Sequence, residues 1–288
     1  FWFCISYGIG KITMSHSMSH KENYKNSLVI KVGGAFMQAE NAAMALLTSI
    51  SALQKNYIVV LVHGGGAMVE ELLCALNITS QKIDGLRVTP TEHMPYITGA
   101  LAGTANKQLC GLAIRAGMSP VGLSLLDGKM CHATVMREEL GAVGSVEPGD
   151  PTLLKTLAAT HMLPIISSIG ADNKGNLLNV NADQAATVIA QLLDAELLLL
   201  SDVPGVLDAN KNLIEHLDTE QIETLITENV IRDGMIVKVQ AALTAANSLG
   251  RSVTIASWKD TEKLLGLLHQ QTIGSKISPL INTPSHKA

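Results

Sequence analysis

The sequence lacks the features that would place it in a membrane, outside the cell or on nucleic acid. No apolar run approaches the roughly 18 residues that a membrane span needs. The formal net charge of −4 gives no electrostatic attraction to nucleic acid or to an acidic membrane surface. The four cysteines show no paired spacing typical of a zinc site or a disulfide framework. We therefore expect a cytoplasmic protein with reduced thiols, and neither nucleic acid nor a membrane as partner.

Two common nucleotide-binding signatures are also missing. The chain contains no G-x-x-x-x-G-K-[ST] sequence, which excludes a P-loop of the Walker type. It contains no G-x-G-x-x-G sequence either, so binding of a nicotinamide dinucleotide loses its main support. A phosphate site in this protein must use a different arrangement of glycines.

What the sequence does contain is an alternation of apolar strands and helices. Hydrophobic residues make up 47% of the chain and charged residues 16%, as in a compact globular protein. From Leu28 onward, short apolar runs alternate with helical patterns, which is typical of a mostly parallel sheet covered by helices. The predicted fold class is α/β, a three-layer α/β/α sandwich with a mostly parallel central sheet, formed by a single domain over residues 28–288.

Several element boundaries follow from local signals. Residues 91–118 have the pattern of one long helix, and residues 131–146 have β-hairpin character. Residues 164–169 are predicted to form one strand. Asp150 followed by Pro151 predicts a helix that begins at the proline and is capped by the aspartate. Later in the chain, Asp218 and Gln221 have the spacing of a capping pair.

The first 27 residues differ from the rest of the chain. Residues 1–13 begin without methionine, and residues 14–27 are rich in Ser, His, Lys and Asn. The apolar start lacks a positively charged leading region and an A-x-A-like cleavage site, so a signal peptide is not expected. We expect a poorly ordered N-terminal extension, with the natural start at Met14 or Met18.

Two of the apolar runs break directly into glycines. Residues 28–34 read LVIKVGG, and residues 58–66 read IVVLVHGGG. Each predicts a buried strand whose carboxyl end turns into a helix, which is where open α/β sheets bind ligands. Consecutive glycines let backbone N–H groups approach an anion, and a helix N-terminus adds positive potential. Lys31 lies inside the first run, where an ammonium group without an anionic partner would be unfavourable. Together these features predict a phosphate site.

Three later segments carry further candidate residues. Arg87, in the loop DGLRVT, offers a planar match to a carboxylate, with a surface salt bridge as the alternative. In the segment NVNADQ, alternation places Asn179 and Asn181 on the same side. Asp183 enters the next helix, and capping of that helix is its ordinary explanation. Lys238 lies in an apolar helix start, where it either meets an anion or extends to solvent.

In this order, the motifs KVGG, HGGG, GLRVT, NVNAD and GMIVK closely resemble those of the N-acetylglutamate kinases in the amino-acid kinase family. The resemblance covers the chain from Leu28 to its C-terminus. It implies the amino-acid kinase fold, with an N-terminal lobe for acetylglutamate and a C-terminal lobe for ATP. It also implies transfer of the γ-phosphoryl group of ATP to the side-chain carboxylate of N-acetyl-L-glutamate, the second step of arginine biosynthesis.

The same resemblance implies roles for individual residues. Lys31 and Lys238 would neutralise the phosphoryl group in transfer, and Asp183 would hold both lysines. Arg87 would bind the α-carboxylate of acetylglutamate. The other implied substrate contacts are Gly34, Gly65, Gly66, Asn179 and Asn181. The implied nucleotide contacts are Gly33, Asp202, Val203, Pro204, Gly205, Val206, Leu207, Val230, Ile231 and Arg232. Mg²⁺ would be held mainly by the ATP phosphates and water, since the sequence shows no dedicated cage of carboxylates.

Two other functions stay open at this point. One is a kinase of the same fold that acts on glutamate, aspartate, carbamate or a nucleoside monophosphate, against which Arg87 and the paired asparagines argue. The other is a non-catalytic small-molecule sensor, against which the two lysines and Asp183 argue. Arginine-inhibited members of the family carry an N-terminal helix that links dimers into a hexamer, but residues 14–27 show no apolar stripe. We therefore expect a homodimer that arginine does not inhibit.

Overall fold

The computed structural model of the chain describes residues 26–280, which form fourteen strands and ten α-helices. The strands are β1 (Asn26–Val32), β2 (Tyr57–His63), β3 (Lys82–Ile83), β4 (Leu86–Arg87), β5 (Pro120–Ser124), β6 (Cys131–Val135), β7 (Val143–Pro148), β8 (Leu163–Ser167), β9 (Ile169–Ala171), β10 (Leu177–Val180), β11 (Glu196–Ser201), β12 (His216–Leu217), β13 (Val253–Ser257) and β14 (Ser275–Ile277).

The α-helices are α1 (Gly34–Gln38), α2 (Glu40–Leu53), α3 (Gly66–Ala75), α4 (Met94–Thr98), α5 (Asn106–Arg115), α6 (Thr152–Ala159), α7 (Ala182–Leu193), α8 (Thr219–Thr227), α9 (Gly234–Leu249) and α10 (Thr261–Leu265). A π-helical segment, Gly99–Ala105, joins α4 to α5. Short 3₁₀ turns cover Thr91–His93, Asp127–Lys129, Glu138–Leu140 and Gly266–His269. None of these helices has the length and apolar character needed to cross a membrane.

An eight-stranded sheet forms the centre of the fold, in the order β12-β14-β13-β11-β1-β2-β8-β5. Neighbouring strands in it run parallel, except for the antiparallel pair β13 and β14. From β1 the chain continues to β2 on one side and returns much later to β11 on the other. Open α/β sheets bind ligands at the carboxyl ends of strands where the strand order reverses in this way. The topology therefore directs attention to the ends of β1, β2 and β11.

Each face of the central sheet carries its own hydrophobic core. Leu28, Ile30 and Val32 of β1 point to the face that α2, α5 and α10 cover. Val29 belongs to the core on the opposite face, which α3, α7 and α9 cover. Because side chains alternate along a strand, Lys31 lies on the same side as Val29. These two cores confirm the predicted three-layer α/β/α sandwich with its mostly parallel sheet.

Two smaller sheets carry polar residues towards the ligand edge. Four strands pair in the order β6-β7-β10-β9, with Asn179 of β10 opposite Val143 of β7. β6 and β7 are antiparallel, which confirms the predicted hairpin. The two-stranded hairpin of β3 and β4 carries Arg87. The sequence indicated extended backbone over residues 131–146 and around Asn179, but it predicted a loop around Arg87, where the structure has the β3–β4 hairpin. It did not show that these segments lie outside the central sheet.

Three local predictions differ from the structure. Residues 91–118 do not form one regular helix, because the π-helical segment interrupts the α-helical hydrogen bonding between α4 and α5. The strand predicted over residues 164–169 ends at Ser167, since Ile169 begins β9 and pairs in the four-stranded sheet. Helix α6 begins at Thr152 and not at Pro151, although the Asp150 carboxylate does accept the Thr152 N–H.

The capping pair at the start of α8 is confirmed. Asp218 Oδ1 accepts the Gln221 N–H at 2.8 Å, and Gln221 Oε1 accepts the Asp218 N–H at 3.0 Å. Most of the predicted N-terminal extension lies outside the described residues. Its last two residues, Asn26 and Ser27, belong to β1 and pair with β2, so the sheet begins before the predicted boundary.

Candidate active site

The carboxyl ends of β1 and β11 border a cavity of about 230 Å³, named here the lysine cavity. Lys31 reaches it from β1, and Lys238 reaches it from the first turns of α9. The strand ends contribute Ser201 and Asp202, and α7 contributes Asp183. The fold therefore brings the two predicted lysines to one cavity, although they are far apart in the chain.

Lys31 has the anionic partner that its position in an apolar strand required. Its Nζ lies 2.7 Å from Asp183 Oδ1, and the two side chains are 17% and 30% exposed. Asp183 is in the first turn of α7, on the face of the sheet to which Lys31 points. The ion pair therefore joins the central strand to the helix that crosses above it.

Lys238 has a different partner. Its Nζ lies 2.7 Å from Asp202 Oδ1, with the side chains 34% and 59% exposed. This hydrogen bond lowers the pKa of the Asp202 carboxyl group below its usual value. The resemblance implied that Asp183 holds both lysines, but the carboxylate that contacts Lys238 belongs to Asp202. The physical reason is that Asp202 directly follows β11, which brings its carboxylate to the first turns of α9.

Two glycine turns lie side by side at the ends of β1 and β2. Gly34 begins α1, and Gly65 precedes α3, which begins at Gly66. A Cβ added to Gly34 would lie 3.7 Å from the Gly65 Cα. A Cβ added to Gly65 would lie 2.7 Å from Leu101 Cδ2, closer than ordinary contacts allow. A side chain at Gly65 would therefore require Leu101, in the π-helical segment, to move.

A second cavity, of about 180 Å³, lies beside the glycines that follow β2, and we name it the arginine cavity. Its lining includes the predicted substrate residues Gly65, Gly66, Arg87, Asn179 and Asn181. The lysine cavity instead contains Gly33, Gly34 and Asp183. Because Asn181 and Asp183 are two residues apart at the start of α7, the two cavities adjoin at that helix terminus.

Arg87 is the most strongly held cation of the arginine cavity. Its Nη1 donates to Glu70 Oε2 at 2.5 Å and also to Ser80 Oγ, and its Nη2 donates to the Gly66 carbonyl at 3.1 Å. The Arg87 side chain is 9% exposed, whereas that of Glu70 is 53% exposed. The hydrogen bond from Arg87 lowers the pKa of the Glu70 carboxyl group. Arg87 therefore does form the salt bridge that the sequence left as an alternative, but its own side chain is almost buried and lines the arginine cavity.

The two asparagines have different local roles. Asn179 Nδ2 donates to Thr89 Oγ1 at 3.1 Å. Asn181 is the N-cap of α7, and its Oδ1 accepts the N–H groups of Asp183 and Gln184 at 2.8 and 3.2 Å. Capping was the ordinary explanation offered for Asp183, and this was wrong, because Asn181 caps the helix. The Asp183 carboxylate pairs instead with Lys31.

The predicted nucleotide residues are only partly assembled around the lysine cavity. Gly33 and Asp202 line it, whereas the others lie outside its lining. Val206 and Ile231 are buried in the core, so that only their backbone could meet a ligand. The Val206 N–H is already bonded to Ser275 Oγ at 2.8 Å. Pro204 lines a separate small hollow.

Two aromatic side chains of the lysine cavity were missed in the sequence. Phe36 and Trp258 are buried, and their ring centroids lie 6.0 Å apart with an interplanar angle of 71°. This edge-to-face pair connects α1 to the residue that follows β13. No periodic pattern in the sequence marks either residue, because the two rings meet only when these two segments pack.

A buried polar chain behind the glycines was also missed. Asn106 Nδ2 donates to His63 Nε2 at 3.0 Å and to the Ile165 carbonyl at 2.8 Å. Since His63 Nε2 accepts, its proton lies on Nδ1, which donates to the Gly64 carbonyl at 2.9 Å. Burial lowers the pKa of His63, so the ring stays neutral. His63 is therefore a support for the glycine turn and not an exposed base.

The described residues include no cluster of three or more His, Cys, Asp or Glu side chains suited to a metal ion. The two carboxylates of the lysine cavity, Asp183 and Asp202, are both paired with lysines. The arrangement offers cations and amide groups to an anionic ligand, and it offers no unpaired carboxylate to a metal.

Comparisons with known proteins agree with this geometry. The model of the amino acid kinase family matches residues 26–257. The acetylglutamate kinase of Vibrio cholerae serotype O1 is 52% identical over 254 residues, which cover 88% of this chain and 97% of the relative. That of Aliivibrio fischeri is 51% identical over 88% of this chain and 98% of the relative. The crystal structure of smu.665 from Streptococcus mutans UA159 covers 88% of this chain and 99% of its own, with a TM-score of 0.70 and 28% identity. The chain belongs to the amino acid kinase family.

Proposed function

We propose that the protein transfers the γ-phosphoryl group of ATP to the side-chain carboxylate of N-acetyl-L-glutamate, forming N-acetyl-L-glutamyl 5-phosphate in the second step of arginine biosynthesis. The observation that carries this proposal is the meeting of Lys31 and Lys238 in one cavity, which adjoins a second cavity containing Arg87. The names of the relatives at 51–52% identity support the same activity.

The two cavities suit the two substrates. The lysine cavity takes the phosphates of ATP, and the arginine cavity takes acetylglutamate, so that the reacting groups meet near the start of α7. Phosphoryl transfer depends mainly on positioning and on stabilisation of the charge of the phosphoryl oxygens. Lys31 and Lys238 neutralise that charge from the central strand and from α9, while the backbone amides of Gly34, Gly65 and Gly66 bind oxygen atoms.

A carboxylate acceptor suits a site without a general base. The carboxylate is ionised at neutral pH, so its oxygen forms the new bond to the γ-phosphorus without losing a proton. The bond between that phosphorus and the bridging oxygen breaks, and ADP leaves. His63 is buried and hydrogen-bonded, and Asp183 is paired with Lys31. An alcohol acceptor would need a base that neither of these residues provides.

Recognition of acetylglutamate involves Arg87, Asn179 and Asn181. The Arg87 guanidinium binds the α-carboxylate through two parallel N–H groups. The asparagines contact the remaining polar groups of the substrate. Asn181 Oδ1 caps α7, so its Nδ2 is the group that meets the substrate.

ATP acts as the complex with Mg²⁺, which neutralises the phosphates. Because Asp183 and Asp202 are engaged with lysines, the metal is held mainly by phosphate oxygens and water. We further propose that the protein acts in the cytoplasm as a homodimer that arginine does not inhibit. Light scattering with and without arginine tests the last two points, since a hexamer or an arginine-dependent mass would contradict them.

The activity is tested with an ATP-dependent assay in which hydroxylamine traps the acyl phosphate as a hydroxamate. We expect hydroxamate from acetylglutamate, with kcat/KM about a hundredfold higher than for glutamate or aspartate, because a site that pairs the acetyl amide leaves polar groups unpaired with the wrong substrate. Equal or faster reaction with unmodified glutamate would contradict the proposed substrate.

A further inference from the structure

The contacts of Arg87 leave a defined part of its guanidinium for a ligand. Arginine carries five N–H donors. Nη1 uses both of its hydrogens, on Glu70 and Ser80, and Nη2 uses one on the Gly66 carbonyl. Among the described contacts, the Nε–H and one Nη2 hydrogen therefore stay unused. An Nε–H and an Nη2 hydrogen on the same edge of a guanidinium form one of the pairs that bind a carboxylate through two hydrogen bonds.

The groups that hold Arg87 come from one helix and the segment beyond it. Gly66 and Glu70 are four residues apart on α3 and so lie on the same face, and Ser80 lies between α3 and β3. The Gly66 carbonyl and the Glu70 carboxylate contact the two different terminal nitrogens of Arg87. Two hydrogen bonds on separate nitrogens restrict rotation of the guanidinium plane, and the one to Glu70 is the bond to a charged group.

We propose that Glu70 is a positioning residue for Arg87, and that through Arg87 it sets the affinity of the arginine cavity for the substrate carboxylate. This inference rests on the proposed function, in which Arg87 binds that carboxylate. Glu70 holds Nη1 away from the cavity, so the Nε and Nη2 edge faces the substrate. Nothing in the motifs of the sequence singled out Glu70, because it is one of two adjacent glutamates on the helix.

The sign of the effect separates positioning from simple charge. Glu70 carries a negative charge close to a site for anions, so its charge alone would weaken substrate binding. Removing it would then lower the KM for acetylglutamate. If Glu70 positions Arg87, removing it lets the guanidinium rotate and raises that KM. The two effects are opposite in direction.

The test compares E70A with the matched control E71A. Both glutamates are exposed residues of α3, and both variants remove one negative charge and one side chain of the same length. We expect E70A to raise the KM for acetylglutamate about tenfold, which is the size of effect typical for the loss of one charged hydrogen bond. The kcat and the KM for ATP should stay within about twofold of the wild-type values. E71A should leave all three within about twofold. Thermal melting of both variants checks that they fold equally.

A second measurement places the effect on Arg87. In an R87A background, E70A should change the KM for acetylglutamate by less than about twofold, because Glu70 then has no guanidinium to position. An unchanged or lowered KM in E70A, a fall in kcat of the same size, or a further rise in the R87A background would overturn the inference. Failure of the proposed function gives a different result, in which the wild-type protein makes no hydroxamate or R87A leaves the KM unchanged.

Discussion

Replacing each active-site lysine should separate catalysis from stability. The ion pair of Lys238 with Asp202 is partly solvent-exposed, and exposed pairs contribute about 0–1 kcal/mol to folding. We therefore expect K238A to lower the free energy of unfolding by less than about 1 kcal/mol. Lys31 and Asp183 are more buried, so K31A leaves a partly buried carboxylate without its partner and should cost about 1–2 kcal/mol.

The effect on turnover should be much larger. Each lysine stabilises negative charge on the phosphoryl group in transfer, and loss of one such contact typically lowers kcat about 10²–10³-fold, or about 2.7–4 kcal/mol. For both lysines, the expected increase in activation free energy thus exceeds the expected decrease in the free energy of unfolding. The difference is greatest for Lys238, whose ion pair contributes least to folding.

The measurements are urea unfolding and the hydroxamate assay at saturating ATP and acetylglutamate. The control is K55A, because Lys55 is an exposed residue just before β2, at the amino end of the sheet and away from both cavities. It should leave kcat and stability unchanged. A kcat within about tenfold of wild type in both K31A and K238A would refute the proposed charge stabilisation.

Three further predictions concern the arginine cavity and the buried polar chain. In steady-state kinetics, R87A should raise the KM for acetylglutamate about 10–100-fold and change kcat by less than about threefold. An unchanged KM would show that Arg87 does not bind the substrate. N106A removes the amide group that donates to His63 Nε2 and to the Ile165 carbonyl. Urea unfolding should show a free energy of unfolding lower by about 2–4 kcal/mol, and a decrease below about 1 kcal/mol would contradict the hydrogen-bond assignment. Burial lowers the pKa of His63 below its usual 6.5, so below about pH 6.5 the unfolded chain binds a proton that the folded chain does not. Stability should therefore fall as the pH drops from 7.5 to 5.5, by at most about 1.4 kcal/mol per pH unit, and an equal slope in H63N would show that His63 is not the cause.

Local sequence signals predicted much of the architecture. The apolar runs that end in glycine gave β1 and β2 with their turns, and the Asp218 capping box marked the start of α8. These features depend on neighbouring residues, so a single sequence contains them. The predicted position of Lys31 in an apolar strand also implied an anionic partner, which the structure supplies as Asp183.

Other parts of the site have no local signal. Glu70 and Asn106 act through contacts that join separate elements, and their neighbours in the chain do not indicate them. The resemblance assigned both lysines to Asp183, whereas the structure pairs Lys238 with Asp202, a contact that also joins separate elements. The strand predicted over residues 164–169 was too long, because the hydropathy pattern does not show where the chain passes from one sheet to another.

By itself, the sequence determined the alternation of strands and helices, the glycine turns and the charged residues that a phosphate site requires. Those properties follow from periodicity and backbone freedom, which act over a few residues. Only the tertiary structure decided that Lys31 and Lys238 share a cavity, that Asp202 pairs with Lys238 and that Glu70 holds Arg87. Such pairings depend on which strands lie next to each other and on the distances between side chains, and these are set only when the two hydrophobic cores close around the central sheet.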